Sequence, residues 1–181
     1  MNQALLLIDI QNDYFENGSS PLYNADKAVT NAAKLLDYYR DKSLPVIHVQ
    51  HFNNWEGATF FIPDTEGVKI HSLVEPGQGE QLIVKYAPNA FYETSLKEVL
   101  DKLQIKHLVV CGMMTHMCID TTVRAARDYG YQVTLIQDAC ATKDLQGLDS
   151  VIPAAVVQDT YIASLQGVFA TIKSTQEFLN E

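Results

Sequence analysis

Three residues far apart in the chain, Asp9, Lys85 and Cys118, have the types that covalent hydrolysis of a carbonyl compound needs. A thiol becomes a nucleophile when a base takes its proton, and a cation beside the two orients them and favours their anions. Cys118 lies in HLVVCGMMTHMCIDTTVRAAR, from His107 to Arg127. There an apolar, β-favouring run (Leu108, Val109, Val110) stops at Gly112, and a helical pattern (Ile119, Val123, Ala126) begins just after Cys118. The segment reads as strand, tight turn, helix. A partly exposed cysteine at a helix N-terminus would have its thiolate favoured by the dipole and by unpaired backbone NH groups, which also suit an oxyanion. Alone, Cys118 reads equally well as a buried small apolar residue. A lone charge at a strand end, such as Asp9 or Lys85, is ordinarily only solvated.

The elements that carry these residues supply the convergence. Residues Ala4 to Ile10 (ALLLIDI) form a continuous apolar run with Asp9 at its carboxyl end, the pattern of a strand buried on both faces of a parallel sheet. Asp26 to Lys42 has helical spacing, and Pro45 to Val49 reads as a second strand. A long stretch rich in aromatics follows, Gln50 to Glu80, of a length that is often functional. Gln81 to Val84 is a third strand with Lys85 directly after it. Ser95 and Glu98 have capping-box spacing at the head of a helix running to Leu103. The fourth strand is His107 to Cys111, the next helix ends near Gly130, and Gln132 to Ile136 is the fifth strand. A helix from about Asp149 to Leu165, a short sixth strand from Gly167 to Ile172 and a terminal helix from Ser174 to Leu179 complete the chain. Alternating strands and helices imply an α/β protein, a three-layer α/β/α sandwich on a parallel six-stranded sheet. In order 3-2-1-4-5-6, ligands bind between strands one and four, and Asp9, Lys85 and Cys118 fall on that edge.

With 181 residues, 47% of them hydrophobic and 19% charged, the chain suits one domain over residues 1–181. A formal net charge of -9, without a Lys/Arg cluster, argues against a nucleic-acid partner. The first apolar run is too short for a signal peptide or membrane span, which places the protein in the cytoplasm. Cys111, Cys118 and Cys140 are odd in number and lack CxxC spacing, so neither a disulfide framework nor a zinc site is suggested. Cys111 and Cys140 read as structural. No GxGxxG fingerprint follows the first strand, which counts against a dinucleotide, and no cofactor is expected.

Asp9-Ile10-Gln11-Asn12-Asp13-Tyr14, Lys85-Tyr86-Ala87-Pro88-Asn89-Ala90-Phe91 and Gly112-Met113-Met114-Thr115-His116-Met117-Cys118-Ile119-Asp120-Thr121-Thr122 together resemble the three signatures of the isochorismatase-like cysteine hydrolases. The resemblance covers nearly the whole chain. It implies a Rossmann-like sandwich, a homo-oligomer (dimer or tetramer), a small-molecule substrate, and a catalytic triad of Asp9, Lys85 and Cys118. It also implies a cis peptide between Met113 and Met114, with the backbone NH groups of Met114 and Cys118 as oxyanion hole. In that scheme Lys85 lowers the pKa of Cys118 and holds Asp9 ionised, and Asp9 moves the thiol proton to the leaving amine.

Departures from the family pattern bear on substrate. Nicotinamidases carry an Asp-x-His metal motif after strand two; here His51 and Asn53 stand at those places, so no catalytic metal is expected. Position 116 is His where an acid is frequent, and position 14 is Tyr where Phe is usual. Tyr14, His51, Phe52, Trp55, Phe60, Phe61, Tyr86, Phe91 and His116 are the candidate pocket residues. His48 reads as a packed strand residue and His71 as a solvated loop residue. The nucleophile favours amide, ureido or related carbonyl substrates. The alternatives are enol-ether hydrolysis by acid catalysis, as in isochorismatases proper, which commonly lack the cysteine, a noncatalytic binding protein on the same scaffold, and a redox-sensing Cys118.

Overall fold

The structure, a computed structural model, describes residues 2–180; Met1 and Glu181, the ends of the expected domain, lie outside the described residues. Its elements in chain order are β1 (Gln3–Ile8), α1 (Ala25–Asp41), β2 (Val46–His51), β3 (Gln81–Lys85), α2 (Leu96–Lys102), β4 (His107–Met113), α3 (Asp120–Asp128), β5 (Gln132–Ala141), β6 (Leu145–Gln146), β7 (Val151–Ile152), α4 (Ala154–Leu165), β8 (Thr171–Lys173) and α5 (Thr175–Leu179). Six strands form a parallel sheet in the order β3-β2-β1-β4-β5-β8. This is the expected order. Its sixth strand is numbered β8 because a two-stranded antiparallel hairpin, β6 and β7, precedes α4.

The central strand alternates between two cores because both of its faces are covered. Leu5 and Leu7 join Val29, Ala32, Leu35, Leu36 and Tyr39 of α1 and Phe178 of α5 in one cluster. Ala4, Leu6 and Ile8 join Leu96 and Leu100 of α2, Val123 and Ala126 of α3, and Ile162 and Leu165 of α4 in the other. A side chain of period two on a strand between two helix layers has no solvent face to offer, hence the unbroken apolar run.

Several boundaries differ from the sequence reading. α4 starts at Ala154, not Asp149, because Pro153 sits outside it in extended backbone and residues 145–152 are used by the hairpin. The sixth strand begins at Thr171, since Gly167 takes φ of +83° and turns the chain after α4. The capping box expected at Ser95 and Glu98 does not form: Ser95 makes no side-chain cap, and Thr94 Oγ1 accepts from the Leu96 N–H at 3.2 Å instead. A capping box does form at Ser174 and Glu177, ahead of α5.

Candidate active site

Each of the three chemical residues is delivered by the end of a strand. Asp9 follows β1 with φ of +52°, a left-handed conformation that Asp tolerates better than most residues and that is often kept at functional sites. Its neighbour across the ladder is β4, where Ile8 pairs with Gly112. Gly112 has φ of +131°, and a Cβ there would lie 2.0 Å from the Ile8 carbonyl oxygen, so only glycine lets β4 pass this close to β1. Lys85 ends β3 and pairs with His51, the last residue of β2.

Cys118 corrects the sequence reading. It does not open α3, which begins at Asp120, but lies inside one π-helical turn, Thr115–Ile119, that follows the Met113–Met114 peptide, which is cis. Nor is it partly exposed; the turn folds its side chain inward against both the second core cluster and the polar centre, where it is buried.

The centre is held together by one ammonium. Lys85 Nζ lies 2.7 Å from Asp9 Oδ2, 2.7 Å from His51 Nδ1, 3.0 Å from the Ala87 carbonyl oxygen and 3.3 Å from Cys118 Sγ. The side chains of Lys85 and Asp9 are both 0% exposed, whereas that of His51 keeps 11%. Burial disfavours either charge alone, but the pair reverses this: beside Lys85 and His51 the Asp9 carboxyl is held below its ordinary range. Lys85, likewise penalised by burial, is raised by Asp9 and Cys118. Both Asp9 carboxylate oxygens are buried without a hydrogen bond of good geometry among the described residues, Oδ2 meeting Lys85 as an ion pair, which leaves acceptors beside the thiol.

Burial, then the charge of Asp9, push the Cys118 thiol well up, and the opposing effect of Lys85 does not overcome them. Lys85 acts on the thiol in the expected direction, downward, but burial and Asp9 outweigh it. A sulfur out of water and beside a carboxylate is disfavoured as the thiolate.

By ligand type, Asp9, His51 and Cys118 resemble a metal trio, their ligand atoms lying within 4.8 Å of one another. The Lys85 ammonium already sits among these same atoms, so a divalent ion there would have to displace a buried lysine or face its charge. The donor set does not fit a resident metal.

Of the candidate pocket residues, the structure gathers Tyr14, Phe60 and Phe61 as a wall: Tyr14 and Phe61 ring centroids are 4.6 Å apart, Phe60 and Phe61 4.9 Å, and His51 and Phe61 6.0 Å. His116 is set apart on the same turn, its Nδ1 2.6 Å from Thr142 Oγ1 and its ring edge-on to Tyr161. Phe91 lies elsewhere, packed on Tyr129 and Tyr131. Phe52 faces Tyr86, which is 61% exposed, and Trp55 is 58% exposed. His48, buried as expected, is also 2.7 Å from Glu80, and His71 is not simply solvated but packs, tilted, against the Phe15 ring at 4.2 Å between centroids.

Two struts were missed. The Gln11 side chain accepts from the His51 N–H at 2.8 Å and donates to the carbonyls of His51 at 2.9 Å and Val68 at 2.7 Å. Asp13 accepts from the Phe61 N–H at 2.6 Å and the Ser19 N–H at 3.0 Å, and a Cβ on Gly67 would lie 2.1 Å from it. Both belong to the first motif, but only the fold shows what they hold. The wall and struts seal the centre. A cavity of about 250 Å³ between α1, β5 and α4, lined by Tyr23, Lys27, Thr142 and Gln158 among others, includes none of the three chemical residues.

A doubly wound parallel sheet with a buried Asp, Lys and Cys at its switch point defines a Rossmann-like α/β/α protein with a cysteine centre. The chain belongs to the isochorismatase family: the family model described as Isochorismatase domain matches residues 3–177. It is 52% identical over 179 residues to the isochorismatase family protein YddQ of Bacillus subtilis (strain 168), covering 99% of each chain. It is 34% identical over 157 residues to a streptothricin hydrolase of Streptomyces noursei, covering 85% of this chain and 61% of that one. A crystal structure from Oleispira antarctica, assigned to the isochorismatase hydrolases, superposes with a TM-score of 0.96 at 43% identity, covering 99% of this chain and 97% of that one. The family is one of hydrolases.

Proposed function

We propose that the chain is a cysteine hydrolase that cleaves small amide, ureido or related carbonyl substrates through a covalent thioester on Cys118. The observation that carries this reading is the Lys85 ammonium bridging Asp9 and Cys118 at 2.7 Å and 3.3 Å in a water-excluded centre. Asp9, kept ionised by Lys85, takes the thiol proton as Sγ attacks the carbonyl carbon. The backbone NH groups of Met114 and Cys118 receive the oxyanion. Collapse of the tetrahedral adduct expels the amine, which leaves with the proton held by Asp9. Water, deprotonated by Asp9, then cleaves the thioester and restores the thiol. A raised thiol pKa suits this sequence, because the proton moves only when attack begins.

The streptothricin hydrolase among the relatives supports a hydrolytic reading of the same scaffold. Enol-ether hydrolysis by acid catalysis needs a protonated acid at rest, and an Asp9 carboxyl held below its ordinary range by Lys85 is poorly suited to be that acid.

The test is a panel of small amides and ureido compounds, read by turnover and by intact-protein mass spectrometry. An acyl adduct on the native chain, absent from Cys118→Ala, is expected, with turnover lowered at least about 10³-fold in that variant. Full turnover by Cys118→Ala would remove Cys118 from the reaction.

A further inference from the structure

The Tyr14 ring belongs to the wall over the centre, edge-on to Phe61 at 4.6 Å between centroids and tilted against Phe60 at 6.0 Å, and the residue is 1% exposed. It shares a core cluster with Phe61, Met113 and Met114, so the wall meets the start of the turn that carries Cys118. A phenyl ring alone would serve this packing. The hydroxyl adds a polar group that is costly to bury without a partner. No described residue hydrogen-bonds it.

The hydroxyl also faces the chemistry. Burial raises its pKa well above the ordinary value, and the charges that raise it further act in the order Cys118, Asp9, Asp13. Asp13 is its neighbour in sequence, yet Cys118 acts more strongly, so the phenol oxygen reaches inward from its backbone toward the sulfur. Tyr39 gives the contrast: its buried hydroxyl also lacks a partner, but the charges it meets are those of Tyr38 and Cys111, outside the centre. The N–H bonds of Lys85 are taken up by Asp9, His51, Ala87 and Cys118, whereas the Tyr14 O–H is uncommitted. Held protonated, it is a donor.

We propose that Tyr14 is a specificity-determining residue whose hydroxyl donates to a second hydrogen-bond acceptor on the substrate, apart from the carbonyl that Cys118 attacks. The substrate class narrows to small amides and related carbonyl compounds that carry such an acceptor, in preference to alkyl amides of equal size. A buried donor discriminates strongly against an analogue that leaves it unpaired, more strongly than a pocket discriminates by one methylene. The assignment rests on the reading of Cys118 as the nucleophile.

The experiment measures how well isosteric amides protect Cys118 of the native chain from iodoacetamide, read by mass spectrometry, with Cys118→Ala as control for labelling elsewhere. Methoxyacetamide and butyramide differ by one ether oxygen on the acyl side. N-(methoxymethyl)acetamide and N-propylacetamide differ in the same way on the amine side. In at least one pair the ether is expected to protect at a concentration at least about tenfold below that of its alkyl isostere. Tyr14→Phe keeps the ring against Phe61 and is expected to bring that ratio to within about twofold of unity, by weakening the ether while the alkyl amide protects as before.

Equal protection by both members of both pairs in the native chain overturns the proposal, and would mean that water alone meets the hydroxyl. So does protection by none of the four. A ratio that survives in Tyr14→Phe overturns it as well, as does a loss that falls on ether and alkyl amides alike, which would make Tyr14 a packing residue only. Protection needs no turnover, so an absence of hydrolysis counts against the proposed function and leaves the Tyr14 result standing. An acyl adduct on Cys118 without the ratio does the reverse.

Discussion

Lys85 is the residue on which the buried centre balances electrically. It is fully buried, and its ionic partner Asp9 is equally so, which makes the two interdependent. Removing one member of such a pair leaves the other charged in a low-dielectric site, typically at 3–5 kcal/mol. Asp9→Asn is therefore expected to abolish hydrolysis and also to lower the unfolding free energy by about 3 kcal/mol or more, measured by urea titration at pH 7. An Asp9→Asn protein as stable as the native one would show that Lys85 finds another partner or loses its proton. Cys118→Ala, in contrast, removes a small buried side chain, and its cost is expected to be about 1–2 kcal/mol, as for other modest core truncations. Comparing the two melts separates a charge effect from a packing effect at neighbouring positions.

At the scale of elements, function depends on how closely β1 and β4 run and on what covers their ends. Gly112→Ala places a methyl group against the Ile8 carbonyl at a φ few other residues adopt, so a loss of at least about 2 kcal/mol is expected, with the Cys118 turn displaced. Native stability and activity in that variant would mean that the strands part without consequence. The cover is the segment after β2. Phe61, at φ of +55°, is pinned by its N–H on Asp13 and its carbonyl on the Asn53 N–H at 2.9 Å. Tyr14, Phe61, Asp9 and Lys85 all lie buried beneath this cover, so its movement is the expected way in. Asp13→Asn weakens the pin. Faster alkylation of Cys118 at fixed pH is expected, with the pH profile unmoved, because access changes and the thiol's surroundings do not. An unchanged rate would place the way in elsewhere.

For the whole molecule, stability toward acid follows from carboxylates whose protons are held off by the fold. Burial alone would raise Glu80, but Arg40 at 2.7 Å, the Gly77 N–H at 2.7 Å and His48 at 2.7 Å bring its pKa down to about 2 from an ordinary 4.5. Asp9 is lowered in the same direction. A folded pKa below the unfolded one means stability that is fully present above the unfolded value and is lost as pH falls through the folded one. Unfolding free energy is thus expected to begin to decline below about pH 6.5, because burial lowers His48, His71 and His116, and to fall further from about pH 4.5 toward pH 2, with a shallower fall in Glu80→Gln. A native chain no less stable at pH 3 than at pH 6 would contradict this.

The sheet order, both helix layers and the meeting of Asp9, Lys85 and Cys118 on one edge were legible because they follow from apolar periodicity and right-handed crossovers, which the chain writes locally. The capping box was misplaced because Ser95 and Ser174 precede the same spacing of residues, and only their surroundings decide which side chain turns back on its helix. The motif residues Gln11 and Asp13 could be read, but not their task of clamping His51 and Phe61, which lie 40 and 48 positions further on. The placement of Cys118 was misread for the same reason: its sequence neighbourhood suggests a partly exposed helix terminus, while the fold buries it inside a π-helical turn against Asp9 after β1 and Lys85 on β3. By itself the sequence determined which elements form, in what order they stack and which residue types reach the switch point. The tertiary structure alone decided which acceptors share the Lys85 ammonium and how far the thiol is from water, because those depend on ångström-scale distances between segments that no local pattern encodes.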